Sequence, residues 1–145
     1  MDVTAVLETS APPERVRPHV DDLGRYSEWL SILTGAVADP DDPEAWSVEL
    51  RAKVGPLARS KRLRMVRVVE TDEHIRFERC ETDGRTHSPW VLDATLVPEG
   101  DGSRLTMTLH YGGSFGAGLV ERLLADEIER SRIRLRALVE GPAVP

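Results

Sequence analysis

The chain has a single cysteine, Cys80, among 145 residues, so it cannot form an internal disulfide, which agrees with a reducing compartment. The thiol reads as structural, and pairing between two chains through it is the alternative. No apolar run approaches the roughly 18 to 20 residues that cross a bilayer. Met1 to Ser10 also lacks the basic start and apolar stretch of an export signal, so a cytoplasmic location is expected. Positive charge is short as well. A net charge of -6 argues against a general nucleic-acid binder, because neutralising phosphates needs clustered Lys and Arg. No internal repeat or low-complexity segment is evident. His19, His74, His87 and His110 show no spacing that suggests a metal site, and a solvated role suits each. No serine stands in a G-x-S-x-G elbow, which leaves a serine hydrolase unsupported. The glycine-rich stretch Gly112 to Gly118 lacks the lysine followed by Ser or Thr that a phosphate loop requires, so nucleotide binding is not expected.

What is present suits one globular domain over residues 1–145, 40% hydrophobic and 30% charged, with one real core. Asp2 to Thr9 reads as a strand with Val3, Ala5, Leu7 and Thr9 on one face at period two. Ser10-Ala11-Pro12-Pro13-Glu14 then starts a helix expected to run to about Asp22, with the acid near the positive end of its dipole. Gly24 interrupts it, and a second short helix is predicted over Arg25 to Leu30. Asp39 to Glu44, rich in Asp and Pro, reads as a linker.

From Trp46 the period becomes two, and five extended runs follow in a meander. Trp46, Val48, Leu50 and Ala52 share one face; Leu63, Met65, Arg67 and Val69 share the next, which ends at Thr71-Asp72-Glu73. Ile75, Phe77 and Arg79 follow, closed by Asp83-Gly84; then Trp90, Leu92, Ala94 and Leu96; then Leu105, Met107, Leu109 and Tyr111. Opposite faces carry Arg62, Arg64, Arg76, Glu78, Thr106 and Thr108, the pattern of an antiparallel sheet wet on one side. From Leu119 to about Glu140 the period is helical, with Leu119, Leu123, Leu124, Ile128, Leu135 and Leu138 as the apolar stripe and Gly141-Pro142 as the stop. At about 1.5 Å per residue that helix is roughly 30 Å long, enough to cross a six-stranded sheet.

The order strand, helix pair, meander, Gly-rich loop and long terminal helix resembles the START-like (SRPBCC) superfamily, which includes polyketide cyclase/dehydrase and lipid-transport proteins. Its local marks are Ala11-Pro12-Pro13-Glu14-Arg15-Val16, Asp22 to Trp29 (DLGRYSEW), and the Gly-rich approach to the last helix. The resemblance spans the whole chain and implies an α+β helix-grip fold: a curved six-stranded antiparallel sheet around the C-terminal helix, with a two-helix insertion after the first strand. It also implies a deep cavity between sheet and helix. The inward residues Trp29, Trp46, Leu63, Met65, Phe77, Trp90, Leu92, Met107, Leu109, Leu123 and Ile128 would then line a pocket for a lipid, a quinone or a polyketide-like aromatic, with no cofactor. Ordinary packing in a filled core is the alternative for each of them. Mobility at Gly112 to Gly118, beside the cavity mouth in the resembled fold, would admit the ligand.

Arg67 and Arg79 break the apolar inward pattern. A buried guanidinium is costly unless paired, so either an internal acid neutralises each or each faces a cavity whose ligand supplies oxygen acceptors. A register slip of one residue would instead put them in solvent. The resemblance sets Arg79 where aromatic polyketide cyclases place an arginine near the polyketide chain, able to polarise a carbonyl or steady an enolate; at Arg67 such cyclases tend to a small polar residue. Where they often carry a tyrosine after the tryptophan motif, this chain has Ile32-Leu33, and Tyr111 could replace that hydroxyl. A cyclase or dehydrase using Arg79 and Tyr111 is therefore the second reading. The third is a toxin of a toxin and antitoxin pair, since the pattern around Tyr26 to Trp29 and Gly112 to Gly118 is similar to actinobacterial toxin-like members. Two basic runs, Arg59 to Arg64 and Arg130 to Arg136, would steer an antitoxin or other partner, with solvated surface or a weak homodimer as alternatives.

Overall fold

Alternation of apolar and polar residues makes Asp2–Thr9 the first strand, β1, as its period requires. The computed structural model describes residues 2–54, 56–112 and 119–141. After β1 come α1 (Pro13–Val16), 3-10 turns at Arg17–His19 and Leu23–Glu28, and strands β2 (Leu33–Asp39), β3 (Asp42–Val54) and β4 (Leu57–Glu70). Strands β5 (His74–Arg79), β6 (Trp90–Glu99) and β7 (Gly102–Tyr111) follow, and helix α2 (Leu119–Glu140) closes the order. The architecture is α+β, with one antiparallel seven-stranded sheet in the order β1-β7-β6-β5-β4-β3-β2.

The sheet has one strand more than the six expected, because β2 forms over Leu33–Asp39, a stretch to which no element is assigned from sequence, and the start of β3 takes most of the segment read as a linker. Asp39 and Asp42 pair across a turn at Pro40-Asp41, and the Asp39 carboxylate accepts the Asp41 N–H at 2.9 Å. Ala38 then pairs with Trp46, so 43–45 bulge from the β2–β3 ladder. A bulge tolerates Pro43, which has no N–H to give to a partner strand. A second irregularity lies in β4, between Arg67 and Val69. Arg67 pairs with Phe77 on the inner face, whereas Val69 pairs with Arg76 on the outer one, which corrects the expectation that Val69 faces inward.

The expected helix pair is instead a single α turn followed by 3-10 turns. Pro18 has no N–H for the Glu14 carbonyl and its ring crowds the preceding turn, so the α-helix stops after Val16. The Asp22 side chain accepts the Gly24 N–H at 2.8 Å and starts the longer 3-10 stretch. Tertiary burial holds these short elements. Val16, Val20, Leu23, Tyr26 and Trp29 all enter the core, the Tyr26 hydroxyl donates to the Val20 carbonyl at 2.7 Å, and the Trp29 indole donates to the His19 carbonyl at 3.0 Å.

This insert is tied to the sheet by two arginines. Arg17 donates to the Thr71 and Asp72 carbonyls in the β4–β5 turn at 2.7 and 3.1 Å. Arg67 reaches back from β4, donating to the Asp21 carbonyl at 2.6 Å and to the Glu44 carboxylate at 2.7 Å, with Glu70 at 3.4 Å and its guanidinium over Trp46. The hydrogen bond from Arg67 holds Glu44 below the usual carboxylate range.

Helix α2 covers the inner face with Ser131, Leu135 and Val139 buried. Leu138, expected in this stripe, is 40% exposed, because Val139 and not Leu138 continues the row from Ser131 and Leu135. The side chains of Leu119, Leu123, Leu124 and Ala52 lie outside what the structure describes, as do the residues of the Gly-rich loop after Gly112. Arg132 and Arg136 donate to the Val6 and Glu8 carbonyls at 3.2 and 3.3 Å. They satisfy acceptors of β1, which as an edge strand has a ladder partner on one side alone. Where β1 ends, a side-chain carbon added to Gly102 would lie 1.9 Å from the Thr9 carbonyl oxygen, so only glycine fits there.

Two measurements test how the insert is held. Removal of the Arg67 guanidinium in Arg67→Met leaves the Asp21 carbonyl and Glu44 without their donor, with an expected loss of about 2 kcal/mol in urea unfolding. Burial, aided by the Arg25 charge and opposed by Glu28 and Asp21, holds the His19 imidazole below its ordinary 6.5. The unfolded chain therefore takes up that proton first, and the stabilisation is complete above the ordinary value and lost as pH falls through the folded one. His19→Gln should flatten the loss of stability as pH falls below the ordinary imidazole value of 6.5; an unchanged slope would refute the assignment.

Candidate functional site

The inner face divides into two unlike halves. At one end the insert closes it with rings: Tyr26 lies 4.8 Å from Trp29 and 6.2 Å from Phe77, and Trp46 meets Phe77 edge-on at 5.7 Å, centroid to centroid. Tyr26 and Phe77 have no exposed surface, and Leu63 and Met65 are buried beside them. Five of the predicted pocket residues, Trp29, Trp46, Leu63, Met65 and Phe77, thus belong to close-packed core. Arg67 stands on this side as well, held by Glu44 and Asp21.

The other half is less covered. Leu92 pairs with Leu109 across β6–β7, Leu109 with Val3 across β7–β1, and Met107 with Ala94 and Ala5 on the same strands. Leu92, Met107, Leu109, Val3 and, on β3, Leu50 pack against the core but remain only partly buried, although they face inward. Ile128 of α2 is half-buried, and the side chain of Leu123 lies outside what the structure describes.

Polar side chains gather at the end of this half. Met65 pairs with Arg79 across β4–β5 and Trp90 with Tyr111 across β6–β7; one step beyond the Glu78–Val91 pair, Arg79 and Trp90 come side by side. Trp90 stacks on Tyr111 with centroids 5.2 Å apart, and both are buried. The Arg79 side chain is 10% exposed and is neutralised by Glu81, to which its Nε donates at 3.1 Å. Its Nη1 donates to the Ser88 carbonyl and its Nη2 meets His87 Nδ1, each at 3.3 Å. Since arginine only donates, His87 Nδ1 accepts, and Nε2–H then points to Asp83 at 2.8 Å. Glu81 also accepts the Arg64 N–H at 2.9 Å, which fixes the carboxylate to the middle of β4, just past the end of the β4–β5 ladder.

Sequence reasoning passes over one residue here. Lys61 belongs by sequence to a basic run ascribed to the outer face, yet it pairs with Leu50 and shares the inward parity of Leu63 and Met65. Its ammonium lies 5.6 Å from the Trp90 ring centroid. Burial, and secondarily the Arg79 charge, push the Lys61 pKa below its ordinary value. Period two counted back from Leu63 reveals it; reading the run as one charged block hides it.

The basic runs are interleaved with acids. Arg62 meets Glu49 at 3.3 Å and Arg64 meets Asp39 at 3.3 Å; on α2, Arg130 meets Glu127 at 3.2 Å and Arg132 meets Glu129 at 2.5 Å. Such pairs lower the local positive field. The arrangement as a whole offers a half-covered apolar surface ending in cations and an aromatic stack.

Comparison with known proteins agrees with this architecture. The chain resembles a protein from Thermus thermophilus at 21% identity and a TM-score of 0.71, covering 99% of this chain and 100% of that one. A START superfamily protein from Mycobacterium smegmatis is 18% identical with a TM-score of 0.70, covering 96% and 97%. StfQ, a di-domain ARO/CYC from the steffimycin biosynthetic pathway, is 13% identical with a TM-score of 0.68; 96% of this chain matches 50% of that one. At these identities the likeness is one of fold. None of the curated proteins matches the chain. Among the described residues no helix is long and apolar enough to cross a membrane. The family described as polyketide cyclase/dehydrase and lipid transport matches residues 1–140. The chain therefore belongs to the polyketide cyclase/dehydrase and lipid transport family.

Proposed function

We propose that the protein binds a small hydrophobic molecule, a lipid, a quinone or a polyketide-like aromatic, on the inner face of β6 and β7 beneath α2. The observation that carries this reading is the partial exposure of Leu92, Met107 and Leu109, which face inward on a sheet whose residues beneath the insert, Trp46, Met65 and Phe77, are buried. Apolar surface left uncovered inside a domain favours an apolar occupant, at about 25 cal/mol for each Å² removed from water. Family membership supports the same reading.

A second reading makes the bound molecule a substrate, with Arg79 as a carbonyl anchor and Tyr111 as a proton donor. What favours it is their position on either side of Trp90 at one end of the sheet. Against it, Arg79 already shares its donors with Glu81, Ser88 and His87. If Arg79→Ala leaves the product distribution of a reconstituted synthase assay unchanged, the enzyme reading fails.

N-phenyl-1-naphthylamine, an uncharged apolar fluorophore, tests the binding reading directly. The native chain should enhance its fluorescence saturably, and Met107→Trp, which fills the open apolar surface, should weaken binding at least about tenfold while circular dichroism stays native. Leu109→Trp should act alike. No saturable binding by the native chain, or full affinity in both variants, would overturn the proposal.

A further inference from the structure

Two serines are buried among the described residues, Ser103 and Ser131, at 1% and 3% exposure. The Ser103 hydroxyl, on β7, donates to the Ala11 carbonyl at 2.7 Å. The Ser131 hydroxyl, on α2, has no hydrogen-bond partner. A helical serine can turn its hydroxyl back to the carbonyl four residues before it, here that of Glu127, and this one does not. The charged neighbours on the helix are engaged elsewhere. The Glu127 carboxylate accepts from the Ser31 hydroxyl and meets Arg130 at 3.2 Å, while Arg132 donates to the Val6 carbonyl at 3.2 Å and pairs with Glu129. Ser131 shares its row with Leu135 and Val139, both in the core, so it is directed at the inner face of the sheet, with half-buried Ile128 three residues before it. A buried hydroxyl without a partner costs the full dehydration of the group and is uncommon in native domains. A ligand oxygen at this point would restore the hydrogen bond that burial removes. Because the hydroxyl rotates, it can donate to a carbonyl or accept from an alcohol. One neutral hydroxyl beside Ile128 and Leu135 does not repay the dehydration of a carboxylate or an ammonium.

We infer that the ligand is an apolar molecule carrying an uncharged oxygen, a ketone or quinone carbonyl or an alcohol, and that Ser131 is the residue that recognises this oxygen. This rests on the hydrophobic-ligand reading above and adds the polar group of the ligand and its partner. The apolar body lies on Leu92, Met107 and Leu109, and α2 supplies a hydrogen bond from the opposite wall.

The test sets 2-acetylnaphthalene against 2-ethylnaphthalene, which share a ring and differ by a carbonyl in place of a methylene. Each competes with N-phenyl-1-naphthylamine, and its affinity is read from the loss of fluorescence. In Ser131→Ala the affinity for the ketone should fall at least about fivefold, while that for the hydrocarbon stays within about twofold. Ser131→Cys, close in size but a weak donor, should act alike. The unliganded Ser131→Ala chain should also unfold at a higher urea concentration than the native one, since it loses a hydroxyl that has no partner and gains a better helix former. An unchanged ratio of ketone to hydrocarbon affinity in both variants would overturn the inference while hydrophobic binding stands. A lower urea midpoint, or a Ser131→Ala chain that does not fold, would overturn it too, because the hydroxyl would then be held by the chain itself. If neither naphthalene displaces the fluorophore the inference falls, and if the fluorophore itself does not bind the proposed function falls with it.

Discussion

Tyr26 occupies the point where the insert meets the sheet, and the division of the inner face follows from its packing. Its ring has no exposed surface, touches Trp29 and Phe77, and carries a hydroxyl whose proton goes to the Val20 carbonyl. A single-turn helix and two 3-10 turns have little intrinsic stability, since short helical segments do not repay the cost of nucleation. They persist because Tyr26, with Val16, Val20, Leu23 and Trp29, exchanges water for core contacts. With the insert seated there, β4 and β5 are closed by rings. Helix α2 and the partly buried residues of β6 and β7 are left as the half of the molecule with apolar surface to spare.

The inward arginines illustrate how one residue type serves two ends. Each has a carboxylate partner, as the cost of burying a guanidinium demands. Arg67 finds Glu44 across 23 positions of sequence and turns a bulge in β3 into a clamp on the insert. Arg79 finds Glu81 two residues on, and the loop after β5 supplies Ser88 and His87. The first set locks two elements together. The second holds a cation at the edge of the less covered half, next to Lys61 and the Trp90–Tyr111 stack.

Much of this was legible in the chain itself. Six of the strands, the inward faces of β3, β5, β6 and β7 among the described residues, and the bounds of α2 all follow from period two and period 3.6. So did the inward parity of Arg67 and Arg79, and the requirement that each have an acid or a ligand. Strand β2 escaped because Gly35, Ala36 and Ala38 have little strand preference of their own; pairing with β3 makes them extended. Val69 was misplaced because a bulge shifts parity by one without a local signature. Lys61 was missed because charge invites a solvent reading, although alternation turned it inward.

Sequence alone determined six of the seven strands, the long terminal helix and most of the side chains that share a face, because these depend on backbone geometry that repeats over a few residues. Tertiary structure decided what covers each face. It alone shows that Tyr26 closes one half, that Glu44 and Glu81 answer the two arginines, and that Lys61 lies over Trp90. These depend on approaches between residues far apart in the chain, where packing and desolvation, and not local propensity, set the free energy.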